Sequence, residues 1–351
     1  MAERVMAAMS GGVDSSAAVI RLLEQGYEVV GATMLLHEYQ SERDISDAAE
    51  ACARLGVPHS VLDMRELFAR EVMDSFVTAY EHGNTPNPCI VCNRKLKFGA
   101  MLDEARKAGC KFIATGHYAR TAFDDSTGRH LLKRAASPEK DQSYVLWTLT
   151  QEQLSHVLFP LGELSKPAVR ALAEQYGLVS AHKSDSQDIC FVPDGDYAAF
   201  IRRRSGLESP AGDFIDREGN ILGRHSGIIN YTIGQRKGLG IALGERAYVC
   251  AIDPAANTVT LGSNDDLFSD TVRIRDINLI SRENIFDGMQ AQVKLRYSHR
   301  PQQARVTQLS DDLIELRFDA SQRAVTKGQS AVIYDGDTVI GGGEIFWPRQ
   351  I

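Results

Sequence analysis

The sequence predicts an α/β chain: an N-terminal domain on a parallel sheet, a small central β-rich domain, and a C-terminal β-barrel domain. Three observations carry the prediction. Short apolar runs alternate with amphipathic stretches through the first half, as in strand–helix–strand units. A glycine turn follows the first apolar run directly and opens into a helical pattern. From about residue 205 glycines become frequent and short alternating runs take over, the texture of small barrels.

Taken in order, residues 5–9 read as a buried strand, Ser10-Gly11-Gly12 as a tight turn, and residues 15–23 as a helix. Residues 27–34 form a second buried strand, 45–55 an amphipathic helix ended by Gly56, 59–63 a short strand and 68–80 another helix. Residues 112–115 are a further buried strand, closed by Gly116-His117. In parallel sheets ligands sit beyond the carboxyl ends of the strands. The Ser10 loop, Met34 and the Gly116-His117 turn all fall at such ends. The later β runs are residues 247–252, 258–261, 292–295 and 313–318. Boundaries near 205 and 268 give expected domains of 1–204, 205–267 and 268–351.

A chain of 351 residues is expected to hold two or three domains. It is 43% hydrophobic and 24% charged, the composition of a soluble globular protein. It has no apolar run of about 18 residues, and glycine and aspartate arrive too early for a signal peptide, so a cytoplasmic protein without a membrane span is expected. A monomer is expected too. The net charge of −7 is uneven: residues 1–200 carry 20 Lys+Arg against 27 Asp+Glu, and residues 201–351 carry 19 of each. Arg202-Arg203-Arg204, Arg236-Lys237 and residues 294–300 cluster positive charge, which permits a polyanionic partner.

The Ser10-Gly11-Gly12-Val13-Asp14-Ser15-Ser16 segment can hold an anion, because a helix N-terminus and three hydroxyls converge on a backbone free to turn. It lacks the lysine of the Walker loop and the third glycine of the dinucleotide fingerprint. It resembles the pyrophosphate loop of enzymes that split ATP into AMP and pyrophosphate.

Six cysteines in a cytosolic chain are not a disulfide scaffold. Cys52, Cys110 and Cys250 lie in or beside apolar elements and read as small core residues. Cys89 and Cys92 form a C-x-x-C after Thr85-Pro86-Asn87-Pro88, where the prolines force a helix start. Arg94, Lys95 and Lys97 follow, and a helix N-terminus with nearby cations is expected to lower a thiol's pKa. Cys190 stands alone in Asp188-Ile189-Cys190-Phe191. Four chemistries fit: a zinc site assisted by His117 or His82, inert burial, an iron–sulfur site of Cys89, Cys92 and Cys190, and sulfur transfer through reactive thiols.

The segments at residues 9–16, 85–93, 115–118 (Thr-Gly-His-Tyr), 140–144 (Lys-Asp-Gln-Ser-Tyr), 185–191, 231–236 (Tyr-Thr-Ile-Gly-Gln-Arg), 295–297 and 327–329 together resemble the tRNA-specific 2-thiouridylases. The resemblance runs from about residue 4 to the end. It implies that residues 1–204 are an ATP-pyrophosphatase catalytic domain of the adenine nucleotide α-hydrolase-like fold and 205–267 a tRNA-binding domain, and that sulfur is inserted at C2 of the wobble uridine, position 34 of tRNA. It implies that Ala7, Ala8, Met9, Ser10, Gly11, Gly12, Val13, Asp14, Ser15, Met34 and Gly116 bind ATP. Cys92 matches the nucleophile and Cys190 the persulfide carrier; Asn87, Pro88 and Cys89 lie by the target base. His117, Lys140, Asp141, Gln142, Arg296, Tyr297 and Gln329 match tRNA contacts.

On this reading Mg²⁺ accompanies ATP, Asp14 orients the metal or a loop hydroxyl or caps the loop, and a cysteine desulfurase or sulfur-relay protein is the donor. Tyr118, Tyr144 and Tyr297 are the aromatic candidates for stacking on a flipped base. Many members of the family carry an aspartate where this chain has Cys89, in the place of a proton-transfer group. A thiol, with a reference pKa of about 8.5 rather than about 4, replaces it imperfectly. Cys89 could instead compete with Cys92, resolve a disulfide or complete a cluster. The rivals are an iron–sulfur-dependent thiolase on the same fold, a small-molecule amidating synthetase, and a tRNA-binding module that uses ATP as a conformational ligand.

Overall fold

A computed structural model of the chain describes residues 2–38, 40–182, 189–206, 208–244 and 246–346. Strand β1 (Arg4–Ala8) leads through the glycine turn into α1 (Val13–Glu24), then β2 (Glu28–Leu35), α2 (Glu42–Arg54) and β3 (His59–Asp63). Ser41 starts α2 by accepting the Asp44 N–H on its hydroxyl. Strand β4 is Phe112–Ala114; β5 (Ala119–Asp124) and β6 (Arg129–Arg134) form a hairpin; β7 is Val157–Leu158. The parallel sheet has the order β3-β2-β1-β4-β7. Chain order reverses direction at β1, so the crevice between the ends of β1 and β4 is the topological switch point.

Side-chain alternation along β1 divides the core in two. Val5, Ala7 and Met9 pack with α1, α2 and the helix Lys166–Gln175 on one face. Met6 faces the other core, with Met34 of β2 and with Phe68, Leu96 and Phe98 from the helices between β3 and β4. Residues 68–80, expected as one helix, fall in three joined segments: Arg65–Phe68, a wider π-helical stretch Ala69–Asp74, and Ser75–Glu81. Such wider turns leave no mark on a hydrophobic pattern read at a period of 3.6 residues.

After the helix Tyr197–Ser205 the chain is β-rich. Strands β8 (Gly212–Ile215), β9 (Ile221–His225), β10 (Tyr248–Asp253) and β11 (Thr258–Gly262) make a four-stranded sheet, β10-β11-β8-β9. Strands β12 (Phe268–Leu279), β13 (Met289–Lys294), β14 (Gln302–Ser310), β15 (Leu313–Arg323), β16 (Ser330–Asp335) and β17 (Thr338–Phe346) follow. They pair as β12-β15-β14-β13-β16-β17, and β17 returns to β12, closing the barrel. Its interior is apolar, with Val272, Ile274, Val293, Leu316 and Ile333 among the buried residues.

The β5–β6 hairpin leaves the parallel sheet and lies on the barrel, where Lys133 pairs with Thr338 of β17. Arg120 ion-pairs with Asp337 at 2.9 Å, and Arg129 Nε donates to the Ile280 carbonyl at 2.8 Å. No helix among the described residues is long and apolar enough to cross a membrane.

Candidate active site

The glycine loop is shaped by contact as much as by turn chemistry. Gly11 sits at φ +73°, and a Cβ there would come within 2.3 Å of the Asp44 carbonyl oxygen at the start of α2. Gly12 caps α1; its carbonyl accepts both the Ser15 hydroxyl at 3.0 Å and the Ser16 hydroxyl at 3.1 Å. The Ser10 N–H donates to Ser15 Oγ at 3.2 Å. Gly116, at the end of β4, lies against this loop so closely that a Cβ would meet the Asp14 carbonyl carbon at 2.8 Å. Ala7 and Ala8 end β1, Met9 donates to Ala32 O at 2.8 Å, and Val13 is buried in α1. Met34 is buried near the end of β2, with its carbonyl bonded to Gln40. All the residues matched to ATP binding thus gather at the β1, β2 and β4 ends.

Asp14 takes a different part from the metal-orienting one expected as an option. Its Oδ1 accepts the Tyr118 hydroxyl at 2.7 Å, and both its oxygens accept Lys166 Nζ at 2.8 Å. With an ammonium already on both oxygens, this carboxylate does not fit a Mg²⁺ ligand, and it ties α1 to the helix Lys166–Gln175. No cluster of three His, Cys, Asp or Glu side chains among the described residues is arranged to hold a metal ion, the Cys89, Cys92 and Cys190 thiols included.

Cys89 and Cys92 lie between β3 and β4 in the chain, and Cys92 packs in the core that holds Met6 and Met34. Asn87 caps the short helix Pro88–Cys92, its Oδ1 accepting the Cys89 N–H at 3.1 Å, with Pro88 in the first turn. Cys89 is exposed and Cys92 buried, and the helix continues as a π-helical stretch, Asn93–Ala100. Five-residue hydrogen-bond spacing carries Lys97 onto the side of Cys92. There its charge bears on Cys92, Cys190 and His117 alike. Cys190 is a free thiol open to solvent, close enough to Cys92 and Cys89 for their charges to oppose its own. The Asp185–Asp188 part of its motif lies outside the described residues.

For Cys92 the expected lowering of the thiol pKa is overturned. Burial pushes Cys92 up, and Lys97 only partly offsets it. The protein packed around Cys190, then the neighbouring thiols, push it up to about 12. Desolvation outweighs one cation, and Cys92 lies a turn inside a helix that runs on through Asn93–Ala100, past the free N–H groups of its first turn. His117 is buried and held neutral, its pKa driven well down by burial and then by Lys97; its ring packs against Phe98 and Phe159 and pairs with Thr115 Oγ1 at 2.8 Å.

The barrel closes the site from the other side. Thr85 N–H donates to the Lys327 carbonyl at 2.9 Å, and Gln329 Nε2 donates to the Thr85 carbonyl at 2.6 Å. Tyr297 bonds Gln142 and lies near enough to Cys89 to feel its charge. Arg296 is anchored on the Ala324 carbonyl and on Thr326 Oγ1 at 2.7 Å. Asp141 is buried as a bracket, accepting the Ala135 and Ser143 N–H groups, and Lys140 is half-buried beside it. Of the three aromatic candidates only Tyr297 is exposed; Tyr118 is buried on Asp14, and Tyr144 is buried on the Ser330 carbonyl. Those two are therefore no platform for a flipped base. Cys52 and Cys110 are buried as expected, while Cys250 is half-exposed. Sequence reasoning missed Lys166 and passed over Lys97 as one of three cations. The alternation of buried Leu96 and Phe98 about Lys97 was the available signal.

The tRNA methyl transferase HUP domain family matches residues 3–194, the tRNA methyl transferase PRC-barrel domain family residues 199–263, and the aminomethyltransferase β-barrel domain family residues 269–345. A Clostridioides difficile protein described as tRNA-specific 2-thiouridylase MnmA is 46% identical over 355 residues, spanning 98% of both chains. Proteins of the same description from Acetivibrio thermocellus and Carboxydothermus hydrogenoformans are 47% and 46% identical, each across 98% of this chain and 99% and 97% of their own.

Proposed function

Because the chain belongs to the tRNA-specific 2-thiouridylase family, we propose that it thiolates C2 of the wobble uridine of tRNA at the expense of ATP, with Cys190 as sulfur carrier and Cys92 as nucleophile. The observation that carries the sulfur route is the meeting of these two cysteines, remote in sequence, close enough for the charge of Cys92 to act on Cys190. The division into residues 1–204, 205–267 and 268–351 belongs to the same reading.

The uridine C2 oxygen is a poor leaving group. In the first step it attacks the α-phosphorus of ATP, the Pα–O bond to pyrophosphate breaks, and C2 carries an AMP ester. The Ser10–Ser15 loop and the N-terminus of α1 hold the departing pyrophosphate. Mg²⁺ is expected to arrive with the ATP phosphates, since Asp14 is engaged by Lys166. Cys190 is first loaded with a sulfane sulfur by a donor protein of the desulfurase or relay class. Its terminal sulfur attacks C2, and AMP leaves with the C2–O electron pair. The Cys92 thiolate then attacks Cys190 Sγ, forming the Cys92–Cys190 disulfide and leaving the terminal sulfur on C2 with the electron pair of the broken bond. A thiol reductant restores both thiols with two electrons.

Asn87, Pro88, Cys89 and Tyr297 border the space in which the base would be presented, with Gln142 holding Tyr297 and Gln329 holding the Thr85 loop. Lys140, Asp141, His117, Met34 and the loop residues from Ala7 to Ser15 keep the roles given them by the resemblance, His117 and Asp141 acting from buried positions. The action is expected in the cytoplasm, by a monomer.

The test is ATP-dependent retardation of an unmodified wobble-uridine tRNA on a mercury-containing gel, with a cysteine desulfurase supplying sulfur. Cys190→Ser is expected to abolish thiolation and to leave pyrophosphate release on tRNA addition. Thiolation by that variant at the wild-type rate would overturn the persulfide role. Thiolation that follows bound iron rather than added desulfurase would favour the cluster rival.

A further inference from the structure

From Ala7 to Ala18, the stretch that must receive the phosphates of a nucleotide, the one charged residue is Asp14, and its charge has the wrong sign for that ligand. The cation that answers it comes from 152 residues further along the chain: Lys166 Nζ donates to both Asp14 oxygens at 2.8 Å. The Lys166 side chain is only 11% exposed, whereas Arg65 and Asp63, an ordinary surface pair, are 55% exposed each. Its placement begins with its own helix start. Ser165 caps the helix Lys166–Gln175 by accepting the Ala168 N–H, and Pro167 restricts the backbone of Lys166. Val169 and Ala173 then bury the same helix in the core that holds Val13 and Ala17 of α1.

Stability alone does not account for this pair. Asp14 is already fixed by the Tyr118 hydroxyl at 2.7 Å and by Gly116, where a Cβ would lie 3.0 Å from the Asp14 Cβ. Two apolar side chains of similar size would hold the two helices together at least as well, because a buried ion pair must first give up its water. What they could not supply is a positive charge at this point. A carboxylate in the first turn of α1 sits at the positive end of the helix, where it competes with a bound anion for the same field. Uncompensated, it would also repel phosphates held by the neighbouring N–H groups and hydroxyls.

We propose that Lys166 is a positioning residue of the nucleotide site: it cancels the charge of Asp14, so that the first turn of α1 and the Ser10 loop accept the phosphates of ATP and the departing pyrophosphate. The inference rests on the ATP-dependent reading above. A Walker loop carries its lysine within the loop; here the cation is lent by a helix on the far side of α1 and acts through the carboxylate it neutralises.

The experiment measures Kd for ATP and for inorganic pyrophosphate by titration calorimetry on the full chain, for wild type, K166M, D14N and D14N/K166M. KM for ATP in tRNA-dependent pyrophosphate release is read alongside and is expected to follow the same order. K166M leaves the carboxylate uncompensated and is expected to raise both Kd values by about tenfold. D14N, which keeps an oxygen for Tyr118 and Lys166 but no negative charge, is expected to tighten both by about threefold, and D14N/K166M to recover most of the loss. A merely structural tie predicts the opposite for D14N, since that substitution weakens the tie as K166M does. Weaker binding by D14N, wild-type binding by K166M, or a double variant as weak as K166M would overturn the proposal; if K166M does not fold, the sign of the D14N effect decides alone. Wild type that binds neither ligand and releases no pyrophosphate when given ATP and tRNA would overturn the reading beneath it.

Discussion

Lys97 lies between Leu96 and Phe98, which are both fully buried, so its backbone has little freedom and its charge is aimed at Cys92, Cys190 and His117. Burial raises the Cys92 thiol, and that cation acts in the opposite direction. Around Cys92 the other titratable groups that act on it or feel it are Cys89 and Cys190; neither supplies a positive charge. Lys97→Met is therefore expected to raise the Cys92 pKa further. The pH profile of iodoacetamide labelling at Cys92, read by peptide mass spectrometry, would move up accordingly, and Lys97→Arg would restore it. An unchanged profile for Lys97→Met would remove the cation from the account. The C-x-x-C and the lone Cys190 were legible in the sequence because prolines and polar neighbours announce exposed loops. The direction of their pKa was not, since it is set by how much protein closes over them. Tyr118 and Tyr144 were misplaced for the same reason: a Tyr-rich motif does not say which hydroxyl is spent on Asp14 or on the Ser330 carbonyl.

At the scale of elements, the strand–turn–helix of the glycine loop is legible in the sequence because period, glycine and cap residues agree there. The reason for Gly11 in particular is tertiary. Gly11→Ala meets both a left-handed backbone and the Asp44 carbonyl of α2, whereas Gly26, at φ +85°, has nothing within 4 Å of an added methyl. Gly26→Ala is expected to cost about 1 kcal/mol, the backbone contribution alone. Gly11→Ala is expected to cost on the order of 3 kcal/mol and to depress ATP-dependent pyrophosphate release. Urea unfolding of the two variants side by side checks this, and equal losses would refute the packing argument. The β5–β6 hairpin escaped the sequence reading although Asp124-Asp125-Ser126-Thr127-Gly128 is a turn signal. Its strands alternate weakly, Phe123 being exposed, because much of their binding to the barrel runs through Arg120, Arg129 and Lys133 rather than through an apolar face.

Across the whole molecule, the catalytic unit and the barrel are fastened by polar contacts on both sides of the thiol site: Arg120 to Asp337, and the Thr85 loop to Lys327 and Gln329. Such a junction keeps Tyr297 and Arg296 in register with Cys89 only while the fold's buried polar groups hold their charge states. Five histidines spread through all three parts, His37, His59, His117, His225 and His299, have pKa values lowered from 6.5, burial being the largest cause in each. The unfolded chain takes up protons at these positions near pH 6.5, and the folded chain refuses them until lower pH. Below 6.5 the unfolded state thus binds more protons, so stability is full above that pH and drains as pH falls toward the folded values. Each histidine contributes about 1.36 kcal/mol for every pH unit that separates its unfolded from its folded pKa. The depressed carboxylates, such as Asp63 at about 2, act only at far lower pH and do not mask the effect. The urea-unfolding free energy is expected to be level from pH 8 to 7 and to fall steadily between 6.5 and 5. His117→Gln, which retains a group able to bond Thr115, should reduce that slope. A free energy that stays level or rises from pH 6.5 to 5 would mean that these histidines are protonated inside the fold.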